Sequence, residues 1–340
     1  MESVTLDAPT LEELVSAAVA APSMHNTQPW RFRLGADART LEIRAAAERS
    51  LPYEDPHGRA LHLAAGAAAL NLSIAVTHLG REPVVRVLPS PRTPELLATV
   101  RIAGPSRRGS ARRGDLYEAI GRRHSSRLPF ADQQVPDVVR RELAEAAHVE
   151  GASLTFPRPH EVSRLLRVTS VAERRNHADP DRAAESRHWL RDDALGLPAS
   201  VLGPQDAFEQ LPMRDFTARR HLEQLSAHTF ERSPMIAVLA TEHDRRSDWL
   251  RSGQALQHVL LIATVHGLSA SLLHQALEWA DLRAQLRTSP GLTGHTQMLI
   301  RLGYGPEPPS TPRQAPQHVI DIAEAEGAQG TASAGRGPRA

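Results

Sequence analysis

The chain has 340 residues, 41% of them hydrophobic and 23% charged, with a formal net charge of +1. That is enough for a sizeable core, and it creates no overall field that would draw nucleic acid or an acidic membrane surface. Cysteine is absent and every basic residue of the Lys/Arg class is arginine, which excludes disulfide frameworks, thiolate metal sites, thiol catalysis and lysine Schiff bases.

In chain order, apolar residues at Leu11, Leu14, Val15, Ala18 and Val19 have helical spacing, opened by an N-cap-type Thr10 and stopped at Ala21-Pro22-Ser23. Trp30–Leu34 and Leu41–Arg44 alternate as strands, and Pro56 marks a turn. An Ala/Gly-rich helix is expected from about Arg59 to Leu79. It is the longest low-charge stretch, but His62, Asn71, Ser73, Thr77 and His78 suit a buried core helix better than a membrane span. Strands are expected at Val84–Leu88 and Leu97–Ile102. The Arg-, Gly- and Ser-rich run Gly104–Gly114 then reads as a connector.

Further on, the pattern predicts helices at Leu116–Gly121, Val138–Ala147, Glu161–Ala178 and Ala183–Leu190, with a strand at Ser153–Phe156. Arg191–Phe216 holds Gly and Pro with few periodic apolar positions and reads as a long loop or lid. Met235–Ala240 and Gln297–Leu302 read as strands and Arg251–His266 as a core helix. The Gly/Ala/Ser-rich tail from Gly327 has the composition of a disordered segment. Met1–Thr10 lacks the basic and apolar regions of a signal peptide, so a cytoplasmic location is expected.

Three internal matches recur in the same order. Glu13–Ala18 resembles Glu142–Ala147. The helix bounded by Gly66 and Gly80 resembles the one bounded by Gly253 and Gly267. Val100–Pro105 resembles Ile300–Gly303. Seventeen histidines show no tight metal-ligand spacing. Gly303-Tyr304-Gly305 runs into prolines rather than a dinucleotide-binding helix, and no hydrolase elbow is present.

Four segments stand out chemically: Ala21-Pro22-Ser23-Met24-His25-Asn26-Thr27-Gln28-Pro29-Trp30, Arg122-Arg123-His124-Ser125-Ser126-Arg127, the turn Gly267–Gln275, and Pro309–Arg313. The first resembles the A-P-S-x-x-N-x-Q-P-W motif of the FMN-dependent nitroreductases, and the second resembles that family's R-[RH]-S-x-[RK] segment. The whole pattern, with its insert, is similar to the Acg-like single-chain branch.

The resemblance implies an α+β fold built from two half-copies fused into a single-chain pseudo-dimer. Residues 1–105 would form the first half and 115–314 the second, with a lid at about 191–216 and a partly disordered tail at 315–340. It implies FMN bound by Pro22, Ser23, Met24, Asn26, Gln28, Arg122, Arg123, His124, Ser125, Ser126, Arg127, Leu273, His274, Gln275 and Arg313. Arg123, Arg313 and the Ser125 hydroxyl suit the phosphate, Arg127 the reduced ring, and the backbone of Leu273–Gln275 flavin N5. His274 is not expected to serve as a base, and Trp30 is expected to fill the core.

The second half has Glu150-Gly151-Ala152-Ser153 where Asn-Gln-Pro-Trp would recur, so one composite site and one FMN per chain are expected. The implied activity is reduction of a nitroaromatic or quinone-type small-molecule acceptor by NADPH or NADH. The alternative is a non-enzymatic protein that sequesters FMN under its lid. Neither nucleic acid nor membrane is an expected partner, and the chain is expected to be a monomer.

Overall fold

Two antiparallel sheets arise from the alternating segments. The structure, a computed structural model, describes residues 6–106, 116–217, 226–287 and 294–321. In the first sheet, β1 (Trp30–Leu34) and β2 (Thr40–Ala45) form a hairpin in which Phe32 faces Ile43. Trp30, Phe32, Leu41 and Ile43 are fully buried, as a period-two pattern over a core requires. The first sheet continues with β3 (Arg81–Val87) and β4 (Leu96–Pro105). The second contains β5 (Ser153–Thr155), β8 (Met235–Thr241), β9 (Ser269–Leu273) and β10 (His295–Gly303). Between β5 and β8, the short strands β6 (Gln205–Asp206) and β7 (Ala227–His228) pair with each other.

Strand order is β1-β2-β4-β3 in the first sheet and β5-β8-β10-β9 in the second. Both therefore run first, second, fourth, third. In each, a long helix connects the second strand to the third: α2 (Arg59–His78) in the first and α7 (Arg246–Val265) in the second. A shorter helix precedes each sheet's first strand, α1 (Ala8–Val19) and α4 (Asp137–Val149). Between α1 and α4 lies α3 (Tyr117–Arg122); α5 (Pro159–Ala178) and α6 (Pro180–His188) follow β5, and α8 (Ala280–Arg287) follows β9. A short parallel strand, β11 (Ile320–Asp321), lies along β1 and closes that edge.

The two long helices pack on each other, and each reaches into the other sheet's core. Leu250 and Leu261 of α7 join the apolar cluster over the first sheet, whereas Leu63 of α2 joins the cluster over the second. Helix α2 is also the one described helix long and apolar enough to cross a membrane. Its apolar window is 89% buried inside the protein, as a core helix should be.

Several expectations are corrected. Helix α1 begins at Ala8, capped by Asp7, whose Oδ1 accepts from the Thr10 amide at 3.0 Å. The Asp carboxylate, not the Thr hydroxyl, meets the free amide. Helix α7 starts at Arg246, where the Asp248 carboxylate reaches back to accept from the Arg245 amide at 3.0 Å. Gly267–Gln275 is not simply a turn, since Ser269–Leu273 pairs along β10; its small polar residues concealed the pattern. Of the expected connector Gly104–Gly114, Gly104 and Pro105 instead finish β4, and residues 107–114, like the tail beyond 321, lie outside the described residues.

Candidate active site

The Pro22–Trp30 segment makes an unusual turn. His25, Asn26 and Gln28 have φ of 51°, 54° and 48°, all in the left-handed region that non-glycine residues rarely enter. Such backbone strain clusters where function demands a particular side-chain display. The turn is fixed by its own groups. The Gln28 amide donates to Ser23 Oγ at 2.9 Å, and Arg49 Nη1 donates to the Gln28 carbonyl at 2.9 Å.

A cavity of about 500 Å³ lies beside this turn, in the size range of small-molecule and cofactor sites. The first half of the chain lines it with Pro22–His25 and the stretch from Glu54 to Ala64, and the second with Ser125–Arg127 and Ser271–His274. Met213, Arg214 and Phe216 of the segment 191–216, expected from sequence to be a lid and so named below, also contribute. Of the expected site residues, Pro22, Ser23, Met24, Ser125, Ser126, Arg127, Leu273 and His274 are thus brought together around one cavity. Segment 125–127 hangs on the start of β9, where the Ser126 amide donates to the Ala270 carbonyl at 2.7 Å.

Asn26, Gln28 and Gln275 lie outside the lining and act as clamps. Asn26 Nδ2 donates to the carbonyls of Gly196 (2.9 Å) and Pro312 (3.0 Å). Gln28 Nε2 donates to the Ala194 carbonyl at 2.7 Å while its Oε1 accepts from the Gln314 amide at 2.9 Å. Gln275 Nε2 donates to the Pro212 carbonyl at 3.0 Å. All three therefore tie the lid down. Arg122 is exposed at the end of α3, away from the cavity wall, and Trp30 sits in the core.

Next to the wall is a concentration of positive charge. Arg123 is 3% exposed; its Nη2 donates to the Ala20 carbonyl at 3.1 Å and its Nε has no partner. Burial, reinforced by Arg313 nearby, lowers its pKa to about 9. Arg313 Nη1 donates to Asn26 Oδ1 at 2.9 Å and to Thr311 Oγ1 at 2.6 Å, but its Nε is also unpartnered. Burial lowers its pKa to about 10. His124 Nδ1 is a third buried nitrogen without a partner, and burial together with the two arginines pushes the imidazole toward neutrality. Among the described residues, no carboxylate forms an ion pair with either guanidinium.

Arg127 is likewise without a carboxylate among the described residues. Its Nη1 donates to the Val201 carbonyl at 2.9 Å and its guanidinium lies 4.7 Å from the Phe216 ring centroid. Burial lowers its pKa to about 10. Gly203 lets the lid approach it, since a Cβ there would lie 2.6 Å from Arg127 Cβ.

One constellation was not foreseen. Arg214 of the lid bridges Glu54 of the first half and Glu278 of the second. Glu54 holds His25 through Nε2, and Glu278 Oε1 lies 2.7 Å from His274 Nδ1. Burial alone would raise the Glu54 carboxyl, yet Arg214 and His25 hold it down at about 2. Arg214 itself is raised, its two carboxylates outweighing the burial that would lower it. The sequence offered only a faint signal: two acids, Glu54-Asp55, in the turn before α2, and two arginines, Arg191 and Arg214, in the lid.

The model of the Nitroreductase family matches residues 120–304. The Mycobacterium tuberculosis protein named "Putative NAD(P)H nitroreductase Rv3131" is 31% identical, over 94% of this chain and 93% of its own length. Another from that organism, named as the NAD(P)H nitroreductase acg under the same qualifier, is 28% identical over 94% and 97%. Among solved structures, the FMN- and NADPH-dependent nitroreductase NfnB of a Sphigopyxis strain is 18% identical, over 62% of this chain and 99% of that one. Its TM-score is 0.40, too low to carry an argument. With more than half the chain matched by the family model and a relative aligned almost end to end, this α+β protein belongs to the nitroreductase family.

Proposed function

We propose that the chain is an FMN-binding oxidoreductase that uses NADPH or NADH to reduce a flat small-molecule acceptor of the nitroaromatic or quinone type. The observation that carries this reading is the pair Arg123 and Arg313. Burying two guanidinium groups together, each with a free Nε and, among the described residues, no carboxylate, is costly unless an anion completes the site. A phosphate dianion meets that requirement, and guanidinium forks suit it better than point charges. His124 Nδ1 and Ser125 stand next in sequence, and Ser125 opens onto the cavity.

FMN bound there would supply two-electron hydride chemistry that no side chain can. Arg127 is the cation placed to favour negative charge on a reduced ring. Leu273, at the end of β9, offers backbone at the wall, and the apolar Met213, Leu277 and Met298 side chains help exclude water. Both halves line the cavity, so we read the chain as two half-folds fused into a single-chain pseudo-dimer with one FMN site. Its domain limits would be 1–105 and 115–314. The matching strand orders and reciprocal helix packing support that reading.

The lid favours a second reading, in which FMN is held without turnover. Asn26, Gln28, Gln275, Glu54 and Glu278 all anchor the segment 194–214. Anaerobic addition of NADPH and NADH to the yellow protein separates the two. Bleaching, followed by reoxidation with a quinone, supports the oxidoreductase. Reduction by dithionite but by neither nicotinamide supports sequestration.

A further inference from the structure

His274 sits where β9 ends, lines the cavity, and is carried on a structure built to orient it. Its Nδ1 is 2.7 Å from Glu278 Oε1. Glu278 is in turn held by Arg214, by Arg182 Nη1 at 3.2 Å and by Asn176 Nδ2 at 3.0 Å. A carboxylate fixed this firmly takes the Nδ1 proton of a neutral imidazole and so selects one tautomer. Nε2 is then a bare acceptor. Among the described residues it has no hydrogen-bond partner, while the side chain keeps 16% of its surface exposed.

We propose that His274 is a catalytic residue: its Nε2 exchanges a hydrogen bond and a proton with an oxygen of the planar acceptor, or of its reduced hydroxyl product. This deepens the oxidoreductase reading and rests on it for the identity of the occupant. The ligand class is an aromatic bearing a phenolic or quinonoid oxygen. The imidazolium, charged by solvent through its exposed edge, gives its Nε2 proton to the carbonyl oxygen as that oxygen gains electrons, and the neutral imidazole left behind accepts a hydrogen bond from the new hydroxyl. Every charged or titratable neighbour has a defined place. Glu278 lies on the following turn and Arg214 comes from the lid. His25, its ring 6.5 Å away, is paired with Glu54, and Arg182 and Asn176 act through Glu278. Burial, with Arg214 and His25 opposing the carboxylate, leaves His274 titrating below the ordinary imidazole value.

The test is calorimetric binding of 4-nitrophenol to the oxidised, FMN-loaded protein without nicotinamide, at a series of pH values. One proton must be shared between imidazole and phenol, so the wild type should bind best between the two titrations. Affinity should fall toward acid as imidazolium ceases to accept, on a limb that starts below about pH 6.5. His274→Phe should bind about tenfold more weakly at neutral pH and lose the acid limb. His274→Gln, whose amide oxygen can still accept, should regain neutral affinity without the acid limb. Absence of binding, a flat wild-type profile, or a His274→Phe profile matching the wild type would each overturn the proposal. Flavin content, read separately by acid release, distinguishes the two failures: protein that refuses added FMN would remove the oxidoreductase reading and this proposal with it, whereas FMN-loaded protein that fails the binding test removes this proposal alone.

Discussion

Gly66 and Gly253 occupy equivalent places on the two core helices, and each lets the opposite backbone come where no other residue could. A Cβ on Gly66 would lie 2.9 Å from the Leu250 carbonyl carbon, and one on Gly253 would lie 2.8 Å from the Leu63 carbonyl carbon. The relation is reciprocal, as a two-fold axis between the helices requires. Because both obstacles are backbone, neither can swing aside. Gly66→Ala and Gly253→Ala should each destabilise by about 2–3 kcal/mol, overcoming the ~1 kcal/mol that alanine gains in helix propensity. Thermal or urea unfolding measures this. Equal losses support equivalence of the halves, and a neutral effect at one position contradicts it.

Removing one guanidinium should separate stability from cofactor binding. Arg123→Met replaces a buried cation by an apolar side chain of similar length and relieves repulsion with Arg313. The flavin-free protein should melt higher than flavin-free wild type, while FMN binds about 10–100-fold more weakly. Differential scanning calorimetry with fluorescence titration of FMN reads both. Lower stability with unchanged affinity would place the phosphate elsewhere.

The Arg214 bridge should govern access. Arg214→Gln leaves Glu54 buried with only His25 and Glu278 with only Arg182 for a charged partner, a change expected to cost about 3 kcal/mol. It should also speed FMN release and exposure of the lid to protease. Gly203→Ala, forced against Arg127, should loosen the same segment while leaving the ion bridge intact. Release at the wild-type rate in both variants would show that the lid does not control exchange.

Acid sensitivity should have two components. His62 is lowered to about 4, chiefly by burial, with its Nδ1 2.5 Å from the Gly58 carbonyl and its Nε2 accepting from Arg246 Nε at 2.8 Å. Below its unfolded value the unfolded chain binds the extra proton, so stability falls as pH drops from about 6.5 toward 4. Glu54, held at about 2, contributes stability above its unfolded value that is lost as pH falls from about 4.5 toward 2. His62→Gln should flatten the first component by about 2–3 kcal/mol and leave the second unchanged in urea titrations across pH. An unchanged first component would assign the acid sensitivity elsewhere.

Much of the fold was legible because apolar spacing is local. The hairpin Trp30–Ala45, the helix Arg59–His78 and the strand Met235–Thr241 each announce themselves within one element. The site was partly legible for the same reason, since Pro22–Gln28 and Arg123–Arg127 are contiguous. What escaped was assembled across distance. Arg214 meets acids 160 and 64 positions away, and no pattern along the chain records that. Asn26 and Gln28 were legible as important polar groups but not as clamps, because their partners lie far along the chain, on the backbone of 194–196 and in 312–314. Strand Ser269–Leu273 escaped because serine and alanine blur a two-residue period, and Ile320–Asp321 is too short to show one.

One FMN site made by both halves of a single chain has a direct signature in flavin stoichiometry. Protein saturated with FMN, freed of excess and denatured should release one FMN per chain while sedimenting as a monomer. No retained flavin, or two per chain, would contradict the account.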